Sequence, residues 1–452
     1  MADFKIKKGF DVKIAGKPRN TIEEYATQNL FAVYPAEFEG IKPRLKVKEG
    51  DSVKRGDILF ENKKNEKMLF RSPCCGTVKA VNLGARRFPV EILIERDLHN
   101  NESITFETYS RDSVGQLSRE QVVEHLLNTG LWPLIKQRPF SKMATPEAEP
   151  KAIFINAAGS APFQADFSVI LKGDEEAFQT GINAVAKLTE GTIHLCKEAG
   201  SDIPEFGNTK SHTFSGKHPS GNTSVHINRI CPIQPHDTIY TIAAQDVILI
   251  GKLLITGELP KTKIIALGGP SVKEEFRQHY KVQIGSHLQP LFKKALEGDE
   301  VRLLAGNVLT GEPVKTDSCV RYYGSEFFAL EEDRSRQLLG WTAPGLNQYS
   351  AHRVTMAALL SRKKEWKLGT NLHGAHRAMV VTGWMDKHQP LNIMTDFLLR
   401  ACLAHDTDEM VQLGILETDP EDFAIAAFID PHKTDVCGII KRGLEEIELE
   451  GI

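Results

Sequence analysis

The stretch of 130–171 constrains the fold more than any other part of the chain. It reads GLWPLIKQRPFSK, then a polar spacer MATPEAEP, then KAIFINAAGSAPFQADFSVIL. Residues 152–155 form a short, partly β-branched apolar run, bounded by Pro150 on one side and Ala157-Ala158-Gly159-Ser160 on the other, which is the pattern of a buried strand. Asp174 is placed to cap a following helix in which Phe178, Ile182, Val185 and Leu188 recur near the helical period, Gly191 closes it, and TIHLC supplies the next strand. The segment therefore predicts a βαβ unit opening a parallel sheet. Such sheets bind ligands at the carboxyl ends of their strands, yet the loop 157–167 has one glycine and no G-x-G-x-x-G cradle for a phosphate.

Upstream, 46–81 reads KVKEGDSVKRGDILFENKKNEKMLFRSPCCGTVKAV, with two Gly-Asp turns six residues apart, two apolar runs and a polar tip between them. This is the pattern of a hairpin-rich β unit, and it resembles the lipoyl/biotinyl-carrier fold. Lys63 and Lys64 fall where such carriers are acylated, but the usual D-K-A or M-K-M setting is absent, so both are expected to be unmodified. Cys74 and Cys75 read as small packed residues in a tight turn. Ser118 and Gln121 form a capping-box pattern that starts a helix closed by Gly130. The segment 131–142 then combines Trp132 and Phe140 with two prolines and Lys136, Arg138 and Lys142, an extended loop packed on the sheet.

A second unit follows: TIYTIAA as a strand, 245–256 as a helix ended by Gly257, and TKIIALGGP as another strand. Short apolar runs alternating with glycine turns over 272–314 predict a compact β-rich insert. The residues after Pro390 read as helical, with Pro390 and Pro420 at first-turn positions and Asp419 as a cap. The expected architecture is thus a multidomain α/β chain. It comprises a carrier-like β domain over 1–110, a connector helix and Rossmann-like parallel α/β domain over 111–258, a small β-rich domain of the soluble-ligand-binding type over 259–330, and a mixed region ending in a helical tail over 331–452.

Charge and cysteine use exclude several function classes. A net charge of -3 argues against nucleic-acid binding, although residues 1–97 carry 20 Lys+Arg against 14 Asp+Glu and residues 386–452 carry 5 against 15. The acidic tail is a candidate docking face. Seven cysteines without a C-x-x-C pattern fit a reducing compartment and supply no iron–sulfur or zinc spacing. His212, His218 and His226 are spaced by six and eight with no carboxylate among them, and the i, i+3 pair His373 and His376 lies in a glycine-containing loop, so no metal site is expected. The opening MADFKIKKGF lacks a signal peptide's apolar core, and TIAAQDVILIGKLLI is interrupted by Gln245, Asp246 and Lys252, so no membrane span is expected.

The ordered set KKG, KEGDSVKRGDILFENKK, SPCCGTV, GLWPLIKQRPFSK, LTEG, HPSGNTSVHI, QDVILIGKLLITGEL and LTG resembles the A-subunit family of the Na+-translocating NADH:quinone reductase over essentially the whole chain. More distantly, the central part is similar to the flavin-binding subunit of respiratory complex I and to the C subunit of the Rnf complex. It lacks the glycine-rich flavin loop of the first and the cysteine clusters of the second, having lone Cys402 and Cys437 near its end. The resemblance implies a subunit without catalytic residues, flavin, iron–sulfur cluster or metal of its own. It would be peripheral on the cytoplasmic side of the membrane and held there by partner subunits, especially the membrane-embedded B subunit. The complex oxidises NADH, reduces ubiquinone and exports Na+. The family associates this subunit with quinone binding through segments matching 34–41 and 135–142, which makes Phe38, Ile41, Arg138, Phe140 and Lys142 the candidate ubiquinone contacts. Two other readings stay open: a flavin- or nucleotide-binding dehydrogenase, and a scaffold that touches no small molecule.

Overall fold

The computed structural model describes residues 2–336, 338–360 and 363–451. The apolar run at 152–155 becomes the strand Ala152–Ala157, in the middle of a seven-stranded sheet. Across that sheet the order is Ala2–Ile6, Lys210–Gly216, Thr192–Glu198, Ala152–Ala157, Ile239–Ala243, Lys136–Arg138 and Lys142–Met143. The first five are mutually parallel; Lys136–Arg138 runs antiparallel to Ile239–Ala243, and Lys142–Met143 antiparallel to Lys136–Arg138. Strand 152–157 has the strand that follows it on one side and strand 239–243 on the other, so chain order reverses there.

The helix expected after Asp174 runs from Glu175 to Val185. Asp174 does not cap it with its side chain; its carboxylate accepts instead from Lys252 Nζ at 2.6 Å, because that cation on the neighbouring helix competes successfully for it. Helices Glu175–Val185 and Ala244–Thr256 pack backbone to backbone at Gly181 and Gly251. A Cβ on Gly251 would lie 1.7 Å from the Ala177 carbonyl oxygen, so only glycine permits this approach. Helix Arg119–Thr129 has the capping box of Ser118 and Gln121, and Gly130 ends it at φ +76°.

Two departures from the sequence pattern matter for the site. Strand Thr262–Gly268, expected to continue the second βαβ unit, leaves for a different sheet, and the edge beside 239–243 is taken by Lys136–Arg138. The segment expected to be a packed loop is therefore a short hairpin completing the central sheet. Its backbone donors and acceptors are satisfied by Ile239–Ala243, which a free loop at a buried position could not arrange.

The N-terminal β unit is built of a four-stranded sheet and a three-stranded sheet, with Lys63 and Lys64 exposed at the tip of the hairpin formed by Ile58–Asn62 and Asn65–Arg71. The third unit is a six-stranded sheet in the order Glu312–Val314, Val301–Ala305, Glu326–Glu331, Thr262–Gly268, Gln278–Gln283 and Arg19–Glu24, with helix Gln289–Ala295 packed on it. The first 24 residues, expected within the 1–110 β domain, thus give an edge strand to each of the other two sheets. At the other end, helices Thr395–Ala404, Thr407–Gln412, Ala424–Ile429 and Val436–Glu450 enclose Leu398, Met410, Phe423, Ile440 and Ile447. Asp419 caps its helix with a capping box and Pro420 sits in the first turn. Pro390 does not; it lies in the link between Trp384–His388 and Thr395–Ala404. Among the described residues no helix is long and apolar enough to cross a membrane.

Candidate functional site

The three β-containing units meet around an apolar cleft enclosing ≈ 90 Å³. Ala32, Val33, Phe38 and Phe70 come from the N-terminal unit, Leu131, Leu134, Leu249 and Leu259 from the central one, and Ile284, Val320 and Tyr322 from the third. Phe38 anchors the wall. Its ring lies 4.5 Å from Phe70, 4.9 Å from Tyr322 and 5.9 Å from Tyr323. The two tyrosines, 4.9 Å apart and nearly perpendicular, bridge the sequence-distant segments. Tyr322 donates its hydroxyl to the Gly130 carbonyl at 3.0 Å, Tyr323 donates to that of Pro133 at 2.9 Å, and Lys136 Nζ lies 4.8 Å from the Tyr323 ring centre.

Glu37 stands at the rim between this cleft and a second, polar cleft of ≈ 300 Å³. One of its oxygens accepts from Arg321 Nη1 at 3.1 Å and the other from the Tyr322 backbone N–H at 2.8 Å. Burial nonetheless pushes its carboxyl above the ordinary range, against the lowering effect of Arg321. Arg321 also stacks over Tyr34 at 4.0 Å. The Tyr34 hydroxyl accepts from the Cys319 N–H at 3.1 Å, and its own proton has the Cys319 thiol, a weak acceptor, beside it. Burial pushes the Tyr34 phenol upward, so it stays neutral.

The sequence-predicted residues divide between these clefts. Phe38 lines the apolar one; Phe140 and Lys142 line the polar one with Glu37, Lys441 and Glu448. Ile41 is buried in the core and borders neither cleft. Arg138 is turned inward and only 4% exposed. Its Nη1 lies 3.2 Å from Asp419 Oδ2 and donates to Ser224 Oγ at 3.0 Å, so it ties the hairpin to the C-terminal helices rather than facing an open cleft. Although burial opposes ionisation, Arg138 holds the Asp419 carboxyl below its ordinary value. Between Arg138 and Lys142 the chain turns with Phe140 and Ser141 at φ +80° and +53°, a costly region for residues with a Cβ. Ion pairs to Asp419 and Glu448 hold the two ends of that turn.

The sequence reading missed Arg321, Tyr322 and Tyr323. The signal available was the string RYYG, two adjacent aromatics after a cation, but nothing local connects it to residues about 285 positions away.

A third space lies at the carboxyl ends of strands 152–157 and 239–243, where chain order reverses. It encloses only ≈ 70 Å³ and is lined by Ala158, Gly159, Gln164, Asp246, Tyr323 and Glu326, among others. Burial raises the Asp246 carboxyl to about 6 and also raises that of Glu326; the buried Lys263 between the units is pushed downward by the same cause. A phosphate placed here would meet buried carboxyls and no glycine cradle. Elsewhere, His194 Nδ1 lies 3.0 Å from His212 Nε2, and burial pushes His218 and His226 down to about 4 and about 3, so these rings are neutral packed groups. Among the described residues no group of three or more His, Cys, Asp or Glu is placed to hold a metal ion.

A mixed α/β multidomain protein with an N-terminal barrel-sandwich unit and a helical C-terminal region, its units joined around an apolar cleft, is the class these features define. Family models for the NqrA N-terminal barrel-sandwich hybrid domain, the NqrA second alpha/beta domain and the NQRA C-terminal domain match residues 4–97, 117–259 and 264–316. The A subunit of the Na(+)-translocating NADH-quinone reductase from Photorhabdus laumondii is 40% identical over 99% of this chain and 100% of its own length. The proteins of the same name from Yersinia pestis and Neisseria meningitidis serogroup B are each 38% identical, with the same coverage. The chain belongs to the NqrA family. Among solved structures, an NAD+-reducing [NiFe]-hydrogenase aligns with a TM-score of 0.32 at 12% identity over 49% of this chain and 47% of that one, too low a likeness to inform the fold.

Proposed function

We propose that this chain is a peripheral, cytoplasmic-side subunit of a Na+-translocating NADH:ubiquinone reductase, held by membrane partners including the B subunit, and that it contributes the apolar cleft to ubiquinone binding. The observation that carries the reading is the cleft itself. A quinone ring needs flat apolar walls and one or two hydrogen-bond donors for its carbonyl oxygens. Phe38 and Phe70 supply the wall, and the neutral Tyr34 hydroxyl, whose alternative acceptor is the weak Cys319 thiol, is the donor. Glu37, whose carboxyl is raised by burial, stands where the apolar cleft meets the polar one, so Phe140 and Lys142 flank the approach to the ring rather than the ring itself. The crevice at the carboxyl ends of the central strands, lined by the buried carboxyls of Asp246 and Glu326 and without a glycine cradle, supports this reading over a flavin- or nucleotide-binding dehydrogenase.

The test is Leu259→Trp in the assembled complex. Leu259 is half-buried on the cleft wall, so a larger ring fills the space with little disturbance of the core. A quinone titration should show affinity weakened by about tenfold or more, equivalent to ~1.4 kcal/mol. NADH oxidation by a water-soluble electron acceptor should stay unchanged. Unaltered quinone affinity would favour the scaffold reading, with the quinone held by the membrane partner.

A further inference from the structure

Eighteen large apolar side chains are exposed among the described residues, and ten of them lie between Leu338 and Val381, about a tenth of the chain. Residues 334–382 also carry eight Lys+Arg against one acid, Glu365, a net of +7 in a chain whose total is -3. Of the described cations in this stretch only Arg334 pairs with a carboxylate within 4 Å among the described residues. The segment is nonetheless fastened at its middle. Trp366 is buried, and its backbone N–H and carbonyl bond the Lys13 carbonyl and the Ala15 N–H, each at 2.9 Å.

We infer that this segment is a lipid-facing surface, which docks the subunit on anionic phospholipid headgroups. Its shape favours lipid over a protein partner. A partner helix needs a groove lined by the apolar residues and a partner strand an open edge; the groove of ≈ 440 Å³ in this segment is lined by Tyr349, Ser350, Arg353 and Trp366, and none of the exposed apolar side chains borders it. Here Leu338, Val354 and Leu360, exposed by 94%, 83% and 71%, stand out from turns and the single-turn helix Met356–Leu360, and the β-contacts within it are isolated bridges at Trp366 and Gly369. Projecting apolar side chains interleaved with cations that lack carboxylate partners match an interface in which alkyl groups enter the acyl boundary and ammonium and guanidinium groups meet phosphates. The relatives' name places them in an ion-translocating assembly, while no described helix here spans a membrane, so a peripheral lipid contact adds a second anchor to any contact with partner subunits. The inference is independent of where quinone binds.

The purified full chain should co-sediment with phosphatidylcholine vesicles containing phosphatidylglycerol, with an affinity that falls as salt rises, and only weakly with phosphatidylcholine alone. Combining Lys363→Glu, Lys364→Glu and Lys367→Glu should lower partitioning more than tenfold, on a scale of roughly fivefold per lost cation. Combining Leu339→Ser, Val354→Ser and Leu360→Ser should also reduce it, whereas reversing Lys63, Lys64 and Lys67 at the hairpin tip should not. All these side chains are exposed or half-buried, and unchanged thermal unfolding of each variant excludes misfolding as the cause. Three results would overturn the inference: no binding to anionic vesicles, equal loss from the tip variant, or recruitment only by vesicles that hold membrane partner subunits.

Discussion

The crevice at the carboxyl ends of the central strands and the apolar cleft between the units share one helix. Ala244–Thr256 sends Asp246 into the first and Leu249 into the second, less than one turn apart. The crevice occupies the position where open parallel sheets receive ligands, yet it is lined by buried carboxyls. The cleft lies at no special point of the sheet but combines aromatic walls with one neutral phenol, Tyr34. Topology makes a location available; the side chains around it decide whether a ligand gains by entering.

The largest effect expected is from Gly251→Val. The added side chain must displace helix Ala244–Thr256 from the Ala177 carbonyl, so both spaces should deform, at a cost of more than about 3 kcal/mol in urea unfolding. Retention of full stability would mean that the helix shifts freely and that the contrast between the two spaces rests on a soft element.

Asp246→Asn separates the two spaces. The carboxyl is raised from 3.8 to about 6 in the folded protein, so between those values the folded state binds more protons than the unfolded one. Stability therefore falls as pH rises through that window and stays penalised above it. Removing the group should flatten the window by about 3 kcal/mol between pH 4 and 7 in urea midpoints, and should leave quinone affinity unchanged. A matching loss of affinity would show that crevice and cleft act as one site.

A smaller effect is expected from Phe140→Ala on the polar side. Its ring packs against the C-terminal core, so the change should lower stability by about 2 kcal/mol while quinone affinity moves less than about threefold. An affinity loss of tenfold would move the ring-binding wall to the hairpin. The smallest should come from Lys142→Gln. Its pairing with Glu448 is about one-third exposed on each side, and breaking it should cost less than about 1 kcal/mol by thermal unfolding.

What was legible in the sequence followed local periodicity. The strand at 152–157, the helix after Asp174 and the Ser118 capping box all express constraints that span a few residues. The candidate site was legible only in part. Phe38 and the 135–142 segment are near the cleft, but Arg138 finds its partner 281 residues away at Asp419, and no pattern around RPF announces an inward turn. Tyr322 and Tyr323 escaped for the same reason, since their role comes from two sheets packing together. The strand after Gly257 reads locally as the end of a βαβ unit yet pairs within the 259–330 unit, because a βαβ pattern fixes the sequence of elements, not the edge that another hairpin has already filled.

The two edge strands contributed by the first 24 residues have a consequence for biosynthesis. Strand Arg19–Glu24 pairs with Gln278–Gln283, some 260 residues downstream, and Ala2–Ile6 waits for Lys210–Gly216. At roughly 5–20 residues per second, these two strands leave the ribosome about 10–50 s before their partners. During that interval the N-terminal β unit can complete its own two sheets while the leading segment trails as an unpaired ribbon. Neither larger sheet closes until its strand from residues 2–24 returns to it.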